Sequence, residues 1–317
     1  MNRFFLLLLA FSSPLFAQGD WPAKPVTLIN PFAAASAVDV VTRLVAQQLT
    51  HNTGKSFLVE NRTGASGNIG TEAAAKARPD GYTFLVGSPG SMAINPYLFK
   101  KLAYDAENDF VAVTTLAAFP QVLIVNPKVP AHNLPELISW VKANPGKTNH
   151  ASSGTGSTAH LVMELIKADA GLQITHVPFR GGSPATQAVI AGDVQMAVEG
   201  LPSLPAFIKA GTVRPIAVTS LHRAPSLPNV QAVSETIKDF DAVASIILFA
   251  PAATPPAIVE RMSQEVGQAL GAPEVKAKLA DMGATGVGGT PAQTAAYHKR
   301  EMAKFKRAVE ISGATAD

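Results

Sequence analysis

The residues from His150 to His160 read His-Ala-Ser-Ser-Gly-Thr-Gly-Ser-Thr-Ala-His, so small and hydroxyl-bearing side chains separate a strand-like segment from an apolar helical pattern. The first turn of a helix carries backbone N–H groups without intrahelical acceptors, at the positive end of the helix dipole. Glycines let an anion approach the backbone and hydroxyls add donors. Gly154, Thr155, Gly156, Ser157 and Thr158 are therefore candidates for a carboxylate or phosphate seat. Capping of the helix by Ser157 or Thr155 is the ordinary structural alternative. The run also fits the G-x-G-x-x-A pattern of dinucleotide sites. That fingerprint needs an acidic residue at the end of the next strand, where Pro178-Phe179-Arg180 stands instead.

Three other strand-to-helix junctions are similar: Asn30-Pro31-Phe32-Ala33-Ala34-Ala35-Ser36, Gly87-Ser88-Pro89-Gly90-Ser91 and Pro178-Phe179-Arg180-Gly181-Gly182-Ser183. Ligands of open α/β sheets bind at the carboxyl ends of strands. One such loop is unremarkable, since Gly, Pro and Ser build loops everywhere; their recurrence points to a cleft lined by backbone donors and hydroxyls. Glu199 closes a strand at a similar place, either to accept from a hydroxyl, amide or ammonium of a ligand or as a solvated charge.

Catalytic patterns are thin. There is no G-x-S-x-G elbow, and His51, His132, His150, His160, His176, His222 and His298 never fall at the spacing of a metal site. Each reads as a surface or structural residue, although His160, one turn into its helix, could face the cleft. The absence of cysteine excludes thiolate chemistry, disulfides and a lipidated-cysteine anchor. No enzyme activity, metal or cofactor is expected.

The elements that must position these loops alternate between β-branched runs and helical periodicity. Strands are expected at 26–29, 56–60 and 82–86, with helices at 38–49 and 68–77 between them, the second stopped by Arg78-Pro79-Asp80-Gly81. This βαβαβ order implies a parallel sheet with right-handed crossovers. Two further strands, 111–116 and 122–125, precede a boundary at Pro127 and Pro130. A second unit follows, with helices at 134–143, 157–168, 184–191 and 204–210 and strands ending near 152, 177, 198 and 219. After a strand at 244–249 come helices at 256–270, 273–282 and 291–311, each opened by proline. If these last helices cover the first sheet, the first domain is discontinuous and the strands at 122–125 and 244–249 are the crossings of a two-domain hinge. The expected division is 18–124 plus 241–317 against 125–240.

A length of 317 residues suffices for two such domains, and 47% hydrophobic with 15% charged residues is globular. A net charge of +3 without a basic run argues against nucleic acid as a partner. Met1-Asn2-Arg3, the apolar run from Phe4 to Phe11 and the small Ala17 have the layout of a secretory signal peptide over residues 1–17, too short to span a bilayer. A soluble, monomeric protein outside the cytoplasmic membrane is expected.

Several motifs taken in order resemble the periplasmic receptors of tripartite tricarboxylate transporters, the Bug-type (Bordetella uptake gene) binding proteins. They include Trp21-Pro22 with Lys24-Pro25, Val59-Glu60-Asn61-Arg62 with Gly64-Ala65-Ser66-Gly67-Asn68-Ile69-Gly70, and Pro79-Asp80-Gly81-Tyr82-Thr83. Ala93-Ile94-Asn95-Pro96, Ala151 to Ser157, His176 to Gly181, Ala217-Val218-Thr219-Ser220 and Ala250 to Pro255 complete the set, which spans the chain from Trp21 onward. The resemblance implies a type II periplasmic-binding-protein fold, in which two α/β lobes close on a small carboxylate. It implies delivery to a large and a small integral membrane subunit, or, alternatively, presentation of the liganded surface to a signalling partner. It also places Phe32, Ala33, Ser36, Ser88, Ser91, Gly154, Thr155, Gly156, Ser157, Thr158, Phe179, Arg180 and Glu199 at the ligand. Two departures stand out. The family's first loop carries two glycines where this chain has Ala35-Ser36, and Glu199 stands where aspartate is commoner. The apolar first loop with Phe32 hints at an aromatic or partly apolar acid.

Overall fold

A computed structural model describes residues 21–34 and 36–316; the expected signal peptide lies outside the described residues. The first unit runs β1 (Val26–Asn30), α1 (Ala37–Thr53), β2 (Phe57–Asn61), α2 (Asn68–Ala75) and β3 (Thr83–Gly87), with both strand pairings to β1 parallel. A short α3 (Asn95–Leu98) leads into β4 (Phe110–Val125). The second unit runs α4 (Leu134–Ala143), β5 (Asn149–Ser152), α5 (Thr158–Ala170), β6 (Thr175–Pro178), α6 (Gly182–Ala191), β7 (Met196–Gly200), α7 (Pro205–Lys209), β8 (Arg214–Val218) and β9 (Gln231–Ala232). The chain then returns through β10 (Val243–Pro251), α8 (Pro256–Gly271), α9 (Pro273–Asp281), β11 (Thr285–Gly288) and α10 (Pro291–Ser312). The fold is the expected two-lobed α/β type.

The two strands expected at 111–116 and 122–125 are one strand of 16 residues. Its first half lies between β10 and β11, its second half between β7 and β8. Proline normally argues against a continuous strand, but Pro120 sits at the changeover: it faces Val243 at the start of β10, and the pairing with β7 begins at Gln121. β4 therefore carries both lobes. The second crossing is briefer than expected, since β10 pairs only with β3 and with the first half of β4.

The join is made at Thr219, which is fully buried. Its N–H donates to Gln121 O (2.9 Å) and its carbonyl accepts from Ala242 N (2.8 Å). Its hydroxyl accepts from Gln121 N (3.0 Å) and donates to Ala242 O (2.6 Å). One side chain thus ties the midpoint of β4 to the segment entering β10.

The layers follow the periodicity of the helices. Val41, Val45 and Leu49 of α1, Val259, Met262 and Val266 of α8 and Val275 and Leu279 of α9 pack on Leu28, Phe84 and Leu248 of the first lobe's sheet. α10 departs from the expectation that the C-terminal helices only cover the first sheet. At 22 residues, or about 33 Å, it also reaches α5: Met302, Phe305 and Val309 share one core with Leu123, Leu161 and Ile166, and Arg307 pairs with Asp169. No described helix is long and apolar enough to cross a membrane.

Replacing Thr219 with valine removes the hydroxyl and leaves a buried N–H and a buried C=O without partners. The expected loss is about 2–4 kcal/mol in chemical denaturation. Thr219→Ser, which keeps the hydroxyl, should lose less than half as much.

Candidate functional site

Between the lobes lies a cavity of about 580 Å³. One wall is the loop between β5 and α5. Gly154 at φ 132° and Gly156 at φ 75° hold backbone conformations that side-chain-bearing residues rarely adopt. A side chain at Gly156 would also strike Leu98 of α3. Ser157 caps α5, accepting from His160 N at 3.2 Å.

The glycines shape this loop, but their own N–H groups are engaged inside it. Gly154 N donates to Ser152 Oγ (3.2 Å) and Gly156 N to His160 Nδ1 (3.1 Å). Thr158 and Ala159 begin α5, where N–H groups have no intrahelical acceptor, and both line the cavity. The donors offered to a ligand are therefore the helix start and the hydroxyls of Ser153, Thr155, Ser157 and Thr158, all of which line the cavity.

Beneath the loop lies a cluster that sequence reading did not assemble. His150 and His176 are paired in register on β5 and β6, and His160 comes up from α5. The His160 and His176 rings stack at 3.7 Å between centroids, and those of His150 and His176 at 4.9 Å. Because Nδ1 of His160 accepts from Gly156, its Nε2 carries the proton; that atom lies 3.5 Å from Glu164 Oε1, with His150 Nε2 at 3.4 Å and Lys167 Nζ at 2.6 Å from the same oxygen. His176 Nε2 reaches Ser152 Oγ at 2.6 Å. Burial alone would raise the Glu164 carboxyl, but the close approach of His150 and His160 and the hydrogen bond from Lys167 outweigh it and hold the carboxyl well below the usual range. Burial pushes His150 down, and burial together with the neighbouring His160 and His150 pushes His176 down to about 3. The signal was present as His160, Glu164 and Lys167 on one helical face, but the partners on β5 and β6 are brought in only by the sheet.

The opposite wall is built from the first lobe. The loop after β1 has no glycine and is held instead by side chains. Phe32 N donates to Asn30 Oδ1 (3.1 Å), and Asn61 Nδ2 bonds both Phe32 O (3.0 Å) and Asp39 Oδ1 (2.7 Å). Arg43 closes the network on Asp39 Oδ2 (2.9 Å) and Asn61 Oδ1 (2.6 Å). Phe32 and Ala33 line the cavity, whereas Ser36 caps α1 by accepting from Asp39 N. Ser88 lines the cavity; Ser91 is buried and its hydroxyl accepts from Ser88 N (3.4 Å). Phe179 packs against the core beneath α6, and Arg180 is exposed, so neither lines the cavity. Phe119 and Gln121 of β4 and Ser245 and Ile246 of β10 floor the cleft. The strand-end pattern did not reveal them because they lie inside β4 and β10 rather than at their ends.

Glu199 also lines the cavity and is 9% exposed, with Oε1 unpartnered. Burial pushes it up to about 7, against a hydrogen bond from the Gly200 N–H. No lysine, arginine or histidine is among the described lining residues.

These groups give stability two opposed pH dependences. Below pH 6.5 an unfolded chain protonates histidines that the fold keeps neutral, and below 4.5 it protonates glutamates while folded Glu164 stays charged. The unfolded state then binds more protons, so melting temperature should fall on acidification from pH 6.5, less steeply in His176→Asn. Glu199 has the reverse sign. Folded Glu199 holds its proton between 4.5 and about 7, so stability falls as pH rises through that window. Glu199→Gln should therefore stabilise at pH 8, by up to about 3 kcal/mol, and not at pH 4.

Residues 41–313 match the model of the tripartite tricarboxylate transporter family receptors. BugT of Bordetella pertussis is 33% identical over 312 residues, covering 98% of this chain and 95% of BugT. Among solved structures, R. palustris Rpa4515 with adipate is 34% identical, with a TM-score of 0.80 over 93% of this chain and 99% of that one. MatC (Rpa3494) from Rhodopseudomonas palustris with bound malate is 30% identical, with a TM-score of 0.75 over 91% of this chain and 100% of that one. With matches of this extent, fold and sequence lead to one conclusion: the chain belongs to the family of tripartite tricarboxylate transporter receptors.

Proposed function

We propose that this chain is an extracytoplasmic solute receptor that binds a small carboxylate between its lobes and delivers it to the integral subunits of a membrane transporter, with no chemistry of its own. The observation that carries this reading is the β5–α5 wall. A helix start with free N–H groups and four hydroxyls faces a cavity whose donors would suit an anion and whose size suits a small molecule. That a relative is described with adipate and another with malate supports the same ligand class. In this reading Gly154 to Thr158 seat the carboxylate, Phe32, Ala33 and Ser88 close from the other lobe, and Ser36, Ser91, Phe179 and Arg180 act from behind the walls. Residues 18–124 with 241–317 form one lobe and 125–240 the other. Ligand contacts with both lobes favour the closed state, and Leu98 against Gly156 is one contact of that closure. Phe32, Leu98, Phe119 and Ile246 favour an acid with a hydrocarbon or aromatic body.

The test is a thermal-shift screen of the purified protein against adipate, malate, tricarboxylates, amino acids and aromatic acids. A ligand present at about a thousand times its Kd adds about 4 kcal/mol, a rise of several degrees. Gly156→Leu should abolish that shift while leaving the far-ultraviolet dichroism unchanged. A panel that shifts nothing would overturn the carboxylate reading.

A further inference from the structure

We propose that Glu199 meets the ligand as a neutral acid: it donates a hydrogen bond to the seated carboxylate, the two share one proton, and loading therefore selects acids that lack an ammonium group. The inference rests on the carboxylate reading above and concerns the residue that sets charge selectivity within it.

The geometry begins with strand register. β5 and β7 are parallel neighbours, with His150 opposite Met196 and Ala151 opposite Ala197. Continued past the end of β5, that register points Ser153, the first residue of the seat loop, toward Glu199, and both line the cavity. An ionised Glu199, itself buried, and a carboxylate in the seat would be like charges lining one cleft. Such a pair is stable only with a cation between its members or with a shared proton. The described lining residues include no cation, and Arg180, which the family resemblance places at the ligand, is exposed and outside the cavity.

Every element packed around Glu199 is consistent with a shared proton. β4 presents Val122 opposite it, and Ser153 follows the end of β5. α6 presents Gly182, where a side chain would stand 2.7 Å from Glu199 Oε2. No charged side chain acts on the carboxyl from any of them. The Gly200 N–H and the amide end of α6 favour the ionised form; burial opposes them in the empty receptor, and a bound anion adds to that opposition. Oε1 is buried without a hydrogen-bond partner among the described residues, and the residue lines the cavity beside the seat. A protonated carboxyl supplies one O–H donor, as the neighbouring serine and threonine hydroxyls do, so it completes a wall that otherwise consists of donors. An ammonium would find no second carboxylate there.

The experiment is isothermal titration calorimetry of the purified protein with adipate and with malate, at pH 6, 7 and 8, each in two buffers of different ionisation enthalpy. Wild type should take up close to one proton per ligand at pH 8. Its affinity should fall about tenfold for each pH unit above the Glu199 titration. Glu199→Gln, which keeps the shape and a donor, should bind both acids with little pH dependence and no proton uptake. Binding by wild type without proton uptake at pH 8 overturns the inference alone. So does a folded Glu199→Gln that loses both acids, or a wild type that prefers L-glutamate and binds it more tightly as pH rises. If neither these two acids nor any other acid of the thermal-shift panel binds either protein at pH 6, the carboxylate reading is overturned, and this inference with it.

Discussion

Two lobes joined by a cleft must be connected where they can least afford unpaired backbone, because the connecting strands are buried from both sides. β4 resolves this by running through both lobes, exchanging β10 and β11 for β7 and β8 at its midpoint. At that exchange the regular ladder lapses, and Thr219 supplies what is missing: its backbone and hydroxyl together make four hydrogen bonds to Gln121 and Ala242. The floor of the cavity, from Phe119 to Gln121 and from Ala244 to Ile246, is the surface of this same join. The cavity floor and the join between the lobes thus share residues, and a ligand in the proposed site would touch the segments that connect the lobes.

The join also explains why α10 matters. It crosses from the first sheet to α5, so on that side the lobes share a continuous core through Phe305 and Leu161. On the cleft side they meet through smaller contacts, such as Leu98 against Gly156. Rearrangement on the cleft side disturbs few packed atoms, while the α10 side, packed like a protein interior, resists it.

Within the cleft, rigidity is delegated to side chains rather than to the loops themselves. The β5–α5 loop has backbone conformations that glycine alone adopts without strain, and its shape is held from below by His160, Ser152 and the carboxyl of Glu164. Across the cleft, the glycine-free loop after β1 is held by Asn30, Asn61 and Arg43 gathered around Asp39. Both arrangements place the formal charge behind the wall and leave neutral donors at the surface. Such walls would meet an anion with direction rather than with a counter-charge, and among the described lining residues Glu199 alone is ionisable.

Much of this was legible from local sequence. The helices at 37–53, 134–143, 158–170 and 256–271 follow from apolar spacing, from caps such as Ser36, Asn133 and Ser157, and from proline in first turns. The seat loop could be located because a strand, two glycines and a capped helix are neighbours in the chain. These are properties of residues a few positions apart, and the sequence by itself determined them, along with the order of the elements and hence the class of fold. Only the tertiary structure decided that β4 is one strand across Pro120, that His150, His160 and His176 stack over Glu164, and that Arg180 and Ser91 stay off the cavity while Gln121 and Ser245 line it. Burial and partnership there depend on residues up to about a hundred positions away, as Thr219 and Gln121 are, 98 residues apart in the chain. Glu199 shows the difference most clearly. Its position at a strand end was readable, but whether it is a solvated charge or a buried acid depends on Gly182, Val122 and Ser153, which no local pattern brings together.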